Sequence, residues 1–330
     1  MARYAGDMNK VVLIHESGTY ASPSGSGNWI GQVTSNSITD NENKLIERHM
    51  GTESREISSV ENGPLDVEGT LTYNMQDQRL PFWAIGSVAE TESGGTYEHT
   101  AVSIATNVKQ SPFTSGALNP PISFTLEDSK QAPGTGRNFI REINGTVIDT
   151  VTLTSSQGDK NTCEISYLGK TTEPKSGAST VVTERTEIPY LWSHTSLDLN
   201  GSPIRTPTEV SLEIARNATS PHYVNNERAG ATPHQDESNY TLNVTLDLDS
   251  NDAMMLYDWK KNNTKFNGVF DMNADSASTG SQHTIYTLSG CYITEMDPPS
   301  ESTGISSTDV TIRPTKVTGK AYDQVQYNPF

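Results

Sequence analysis

The run GPLDVEGTLTYNMQDQRLPFWAIG, Gly63 to Gly86, decides the fold of this chain. Leu65, Val67, Gly69, Leu71 and Tyr73 share one face of its first half, and Asp66, Glu68, Thr70 and Thr72 share the other. An alternation of period two marks a half-buried strand. The pattern then breaks: Asn74 or Asp77 can cap a helix, Pro81 lies close enough to that end to be tolerated, and Leu80, Trp83 and Ala84 fall on one face. The reading is a strand running straight into a short helix packed on its own sheet.

A second stretch, YTLNVTLDLDSNDAMMLYDWKK from Tyr240, repeats that order. Tyr240, Leu242, Val244, Leu246 and Leu248 alternate with polar residues, Ser250 or Asn251 offers a cap, and Met255, Leu256 and Trp259 form the stripe. A slide of 175 residues places Thr70-Leu71 on Thr245-Leu246, Asp77 on Asp252 and Leu80 on Met255. One further gap places Ile38, Asp40 and Asn41 on Ile214, Arg216 and Asn217. Downstream the offset becomes 145, with NGTVIDT (144–150) over SGCYITE (289–295) and CEISY (163–167) over TDVTI (308–312). The change of offset assigns about 30 extra residues to the first copy, in the Gly-, Ser- and Pro-rich stretch 91–121. Expected boundaries are an N-terminal arm 1–27, a first domain 28–170, a linker 171–189 with the composition of a flexible joint, a second domain 190–320 and a tail 321–330.

Other period-two runs (EVSLEIAR, TVIDTVTLT, STDVTIRP) and the lack of long helical periodicity make the fold class all-β. Long polar loops, DNENKLIERHMGTESREISSVENG and NATSPHYVNNERAGATPHQDES, interrupt both units at matching places. Loops of that length in a compact domain are usually functional or ordered by a partner.

Composition narrows function. The 330 residues are 33% apolar and 19% charged, with 23 Lys and Arg against 40 Asp and Glu, a formal net charge of −17. Mean hydropathy is −0.56. Such a chain builds thin sheet cores, and lacking a basic patch it is not expected to hold a phosphate backbone. The opening MARYAGDMNKVVLIHESG has no apolar signal-peptide core, and no run is long enough to span a membrane as a helix.

Sites for chemistry are scarce. Cys163 and Cys291 give neither metal spacing nor a disulfide framework and read as buried thiols. The seven His are scattered. DLDSND, from Asp247, resembles a calcium loop but has Asp252 where Gly is needed, and helix capping explains it more simply. GTGRNF lacks the lysine and context of a phosphate loop, and no nucleophile motif occurs. No metal, cofactor or enzyme activity is expected. Most of the Asn-x-Ser/Thr sites are coincidences of composition. Leu80, Trp83, Met255 and Trp259 are expected helix–sheet core.

The order WIGQVTSNSITDNENKLIERHMGTESRE…GPLDVEGTLTYN…LPFWAIG resembles the major tail tube proteins of long-tailed phages and archaeal tailed viruses. The second copy resembles them through YLWSHTSLDLNGSPIRTPTEVSLEIARNATSPHY. The resemblance covers about half the chain, mainly 28–88 and 188–260. It implies β-sandwich or barrel domains, each with a short flanking helix, assembled into rings that stack into a tube. A duplicated chain would reach pseudo-sixfold symmetry with three copies. Further implications are assembly in the host cytoplasm, a place in the virion tail, and contacts with a tape measure protein and with tail tip and terminator or connector proteins. Viral DNA would pass without specific binding, and three copies at −17 would help to keep it off the wall. Within this reading, subunit contacts are expected at Trp29 in the arm, at Lys44, Arg48, Arg55 and Glu56 in the first loop, at Arg216, Asn217 and Tyr223 in the second, and at Tyr327 and Phe330 in the tail. A virion decoration protein or adhesin is the alternative.

Overall fold

The computed structural model describes residues 9–16, 20–47, 57, 59–103, 122–131, 138–185, 187–224, 227–231, 233–235, 237–247, 250–274, 282–297 and 307–327. The fold is all-β, with two α-helices among the described residues. The first half holds β1 (Lys10–Glu16), β2 (Pro23–Asn28), β3 (Gln32–Asn41), β4 (Leu45–Glu47), β5 (Ser59–Glu61), β6 (Asp66–Asn74), α1 (Arg79–Ile85), β7 (Gly86–Ser93), β8 (Thr96–Ser103), β9 (Ser123–Gln131), β10 (Asn138–Ser156), β11 (Thr162–Gly169) and β12 (Thr171–Pro174). The second holds β13 (Thr195–Leu199), β14 (Ser202–Pro203), β15 (Pro207–Ala215), β16 (Ala218–Thr219), β17 (His234–Gln235), β18 (Asn239–Asp247), α2 (Ser250–Lys261), β19 (Phe266–Asn273), β20 (His283–Met296), β21 (Ser307–Arg313) and β22 (Lys316–Asp323).

Antiparallel ladders run β3-β6-β11-β10 in the first half and β15-β18-β21-β20 in the second. The C-terminal half of β10 also pairs with β15, from Thr150↔Ala215 to Ser156↔Glu209, so the eight strands form one continuous run. The N-terminal half of β10 belongs to a second sheet, β2-β1-β9-β10-β12. Strand β20 does the same in β14-β13-β19-β20-β22, which β8 and β7 extend.

Both long strands turn at a glycine with positive φ, Gly145 (65°) and Gly290 (63°). The carbonyl before each accepts an amide from the strand's return partner: Lys170 N–H to Asn144 O at 2.8 Å, and Thr315 N–H to Ser289 O at 3.0 Å. A Cβ at Gly145 would stand 2.8 Å from the Tyr20 ring, and one at Gly290 2.3 Å from Thr315 Oγ1. Space as well as backbone conformation therefore excludes a side chain.

Ladder positions refine the internal match. Bulges fall between Ile148 and Thr150 in β10 and between Ile293 and Glu295 in β20, so the downstream offset of 145 agrees with the register. Upstream the slide of 175 is two residues too long. Tyr73 opposes Cys163 as Leu246 opposes Thr308, which makes Tyr73 and Leu246 counterparts, 173 apart. A two-residue error leaves every side chain on its assigned face, so the pattern concealed it.

One face of the eight-stranded run is apolar. Tyr73, Cys163, Leu153, Leu212, Leu242 and Ile312 form a cross-strand row and are all buried. Each of its leucines and its isoleucine contributes roughly 1.5–3 kcal/mol on leaving water. The same core takes in Leu126, Phe270 and Tyr286 of the second sheets and Leu80, Phe82 and Trp83 of α1.

Two segments differ from their compositional reading. The stretch 91–121 supplies the end of β7 and all of β8 where it is described, and β8 adds to the second half's sheet through β22. The segment 171–189 opens as strand β12, paired with β10, and is then tied down. Lys175 Nζ donates to buried Glu127 and to Glu142, each at 2.7 Å, and Lys10 Nζ donates to the Thr180 carbonyl at 2.8 Å. Long-range ion pairs override a Gly/Ser/Pro composition that favours freedom in an isolated chain.

Candidate assembly and channel-facing site

The other face of the eight-stranded run is polar along its width. One cross-strand row reads Ser35, Thr72, Glu164, Thr152, Glu213, Thr241. The next reads Gln32, Asn74, Thr162, Thr154, Ser211, Asn243, Thr311, Glu295. Neighbours in these rows satisfy one another: Thr311 Oγ1 donates to Asn243 Oδ1 at 3.1 Å, and in a third row Thr245 Oγ1 donates to Asp309 Oδ1 at 2.6 Å. By strand alternation the face carries the carboxylates of Asp66, Glu68, Glu164, Glu209, Glu213, Asp247, Glu295 and Asp309, with Arg313 as the one basic side chain among its described residues. Unneutralised carboxylates on a hydroxyl-rich wall repel polyanions and hold water.

The run has two ends. Strand β3 pairs with β6 on one side, and the C-terminal part of β20 pairs with β21 on one side. Among the described residues neither has a partner on its other side.

The expected contact residues divide. Lys44 lies exposed at the base of the first loop, engaging Glu42 and Asn62. The strands β4 and β5 of that loop pair into a hairpin exposing Leu45, Ile46 and Val60. Tyr223 is exposed in the second loop, and Asn217 sits at φ 49° with its amide donating to Glu237 O at 2.7 Å. Trp29 is half-buried, its Nε1 donating to Gln76 Oε1 at 2.6 Å. Arg216 is buried inside the chain: Nη1 reaches the Ile85 carbonyl ending α1 at 3.1 Å, and Nη2 reaches Gln235 Oε1 at 2.6 Å. Tyr327 is wholly buried. Arg48, Arg55, Glu56 and Phe330 lie outside the described residues. Of the helix residues, Leu80 and Trp83 are buried, while Met255 and Trp259 are partly buried against the core.

The two loops meet at their bases. Leu65 N–H donates to Arg228 O at 2.9 Å, Arg228 Nε to Gly63 O at 2.9 Å, and His222 Nε2 lies 2.7 Å from Asp66 Oδ1. The hydrogen bond from His222 holds the Asp66 carboxyl below its ordinary range.

A buried polar network beside α1 escaped the pattern reading. The Tyr327 hydroxyl donates to Asp323 Oδ2 at 2.5 Å and accepts the Gln78 N–H at 2.8 Å, and its ring stacks on His99 at 3.6 Å. His99 bridges Asp323 (3.1 Å) and Glu90 (3.3 Å), and Arg185 lies 3.7 Å from Asp77 and 3.8 Å from Asp323. Burial works against the Asp323 carboxylate, but hydrogen bonds from His99 and Tyr327 and the Arg185 charge hold its pKa below the ordinary value. Burial pushes the Cys163 thiol up to about 12 and that of Cys291 to about 11, which makes both poor nucleophiles. No group of metal-ligating side chains occurs among the described residues.

A family model described as phage tail tube protein matches residues 9–318 of the chain. No curated protein matches it.

Proposed function

Because the chain belongs to the phage tail tube protein family, we propose that it is the subunit of a tube of stacked rings through which viral DNA leaves the particle. As a member of that family it is a structural component of the virion tail that assembles with itself. The finer reading is a ring of three copies, each contributing two similar units and so giving pseudo-sixfold symmetry. The matching strand orders, bulges and glycine turns of the two halves support it. Within the rings the chain would enclose a tape measure protein during assembly and meet tip and terminator proteins at the tube ends.

The observation that carries this reading is the eight-stranded run itself. One face is sealed by the core, and the other is a band of hydroxyls and carboxylates with Arg313 as the one arginine among its described residues. Such a wall is hydrated and anionic, as a passage for DNA requires, since the eight carboxylates of each copy outweigh its one arginine. Negative-stain microscopy of purified protein tests the proposal: rings or hollow tubes with threefold or pseudo-sixfold end views are expected. A chain that stays monomeric at every concentration and salt, and retains glycans on an array, would instead fit the adhesin reading.

A further inference from the structure

All seven residues of α1 are buried, and one of them, Arg79, carries a charge that no neighbouring carboxylate balances. Arg79 is 3% exposed and Trp83 4%. One turn apart on α1, the two side chains share a face. Arg79 Nε, Arg79 Nη1 and Trp83 Nε1 are buried and have no hydrogen-bond acceptor among the described residues. Guanidinium and indole nitrogens donate and cannot accept, so these three cannot satisfy one another. We propose that Arg79 and Trp83, with His15 beside them, hold a small monovalent anion of the halide class.

The groups around Arg79 leave its charge uncompensated. Its Nη2 donates to the Gln326 carbonyl at 3.2 Å, and the Tyr327 ring centroid lies 5.9 Å from the guanidinium carbon. Both contacts are with neutral groups. The carboxylates of the network beside α1 are engaged elsewhere. Asp77 accepts the Arg79 backbone N–H at 3.1 Å, while its other oxygen faces Arg185 at 3.7 Å. Asp323 lies 3.8 Å from Arg185, and Glu90 faces His99 at 3.3 Å. Glu16 follows His15 on β1 and so points to the other face of the strand, where Ser123, Thr125 and the Gly145 amide fill its oxygens. A buried cation without a partner is costly. Water would accept from the donors, but it would not balance the charge.

The free nitrogens also select the ion. A guanidinium takes a carboxylate or phosphate through two adjacent N–H groups. Nη2 belongs to both such pairs and already serves Gln326, and the remaining Nε and Nη1 lie on different edges. A spherical ion needs no fork. His15 stands edge-on to Trp83 at 5.6 Å, and burial, with the Arg79 charge, lowers its pKa to about 4. At neutral pH it therefore adds a neutral N–H and no second charge, which suits a single negative one. Gln326 and Tyr327 lie against Arg79, so the segment after β22 encloses the ion as it docks.

Thermal unfolding of the full chain at fixed ionic strength, with chloride replacing gluconate, tests this. The midpoint should rise by about 2 °C or more and then level off, as a single site filled by mass action requires. Arg79→Met removes the charge from a side chain of similar length and should abolish the shift. Crystals of the unaltered protein grown in bromide should show an anomalous scattering peak within hydrogen-bonding reach of the Arg79 guanidinium and Trp83 Nε1. That measurement decides the matter alone if Arg79→Met does not fold. An equal shift in both chains, or a bromide map with no peak beside Arg79, overturns the proposal and leaves the donors to water. A shift that acetate gives in full overturns the choice of ion, because it would require a fork. The tail-tube reading is untouched by any of these outcomes.

Discussion

Helices α1 and α2 follow matching strands, yet all seven residues of α1 are buried while α2 exposes Met254 and Tyr257. The helices differ in what lies over them. Above α1 the β7–β8 hairpin, Arg185 and the C-terminal Tyr327 pack together, and Arg216 from the second half caps its last carbonyl. The described residues provide no such cover for α2. Burial of a strand-to-helix motif is thus decided by distant chain added later in the sequence.

The sharpest way to break that comparison is to truncate both tryptophans. Trp83→Ala should cost about 3–5 kcal/mol, as full burial predicts. Trp259→Ala should cost about half that, because its ring is partly exposed and tilts against Phe266 at 4.7 Å. Urea unfolding of the monomer measures both, and equal losses would mean that α2 is covered in solution. Next comes the cover itself. Tyr327→Phe should cost about 1–3 kcal/mol, since it strands the Gln78 amide and removes a donor from Asp323.

A smaller effect is read against pH. His15 lies edge-on to Trp83 at 5.6 Å, and burial, with the Arg79 charge, lowers its pKa from 6.5 to about 4. The unfolded chain therefore binds the extra proton first, and stability should fall as pH drops from 6.5 towards 4. His15→Gln should flatten that slope by about 1–2 kcal/mol over the interval, the partial exposure being allowed for; an unchanged slope would place the titration elsewhere. The smallest change is expected on α2, where Met254→Ser should shift unfolding by no more than about 0.5 kcal/mol. A larger loss that grows with protein concentration would reveal a partner copy seated on that helix.

Strands such as β6, β15, β18 and β21 were legible in the sequence because each buries one face, and a half-buried strand must alternate. The offset of 145 was legible too, through Asn144-Gly145 and Ser289-Gly290. The upstream offset went astray because residue identities such as Thr-Leu recur at every second position of a Thr-rich strand, while the true anchor is a pair of bulges that leaves no compositional trace. The polar faces could be listed but not oriented: nothing local to Glu164 or Glu213 says that both lie on one sheet. Arg216 and Tyr327 read as surface polar residues near chain or loop ends. Their burial depends on partners 131 and 249 residues away, Ile85 and Gln78. The network of His99, Arg185 and Asp323 is equally non-local.

Strands β10 and β20, 19 and 14 residues long, each belong to two sheets and turn at one glycine between them. A load reaching either sheet therefore passes to the other through covalent backbone, with no ladder in series to peel. Ladders pulled along the strand direction share the force over many hydrogen bonds at once, whereas those pulled open from an end surrender them singly. Tension along these two strands loads the chain in the first way, and the turns at Gly145 and Gly290 are its points of compliance.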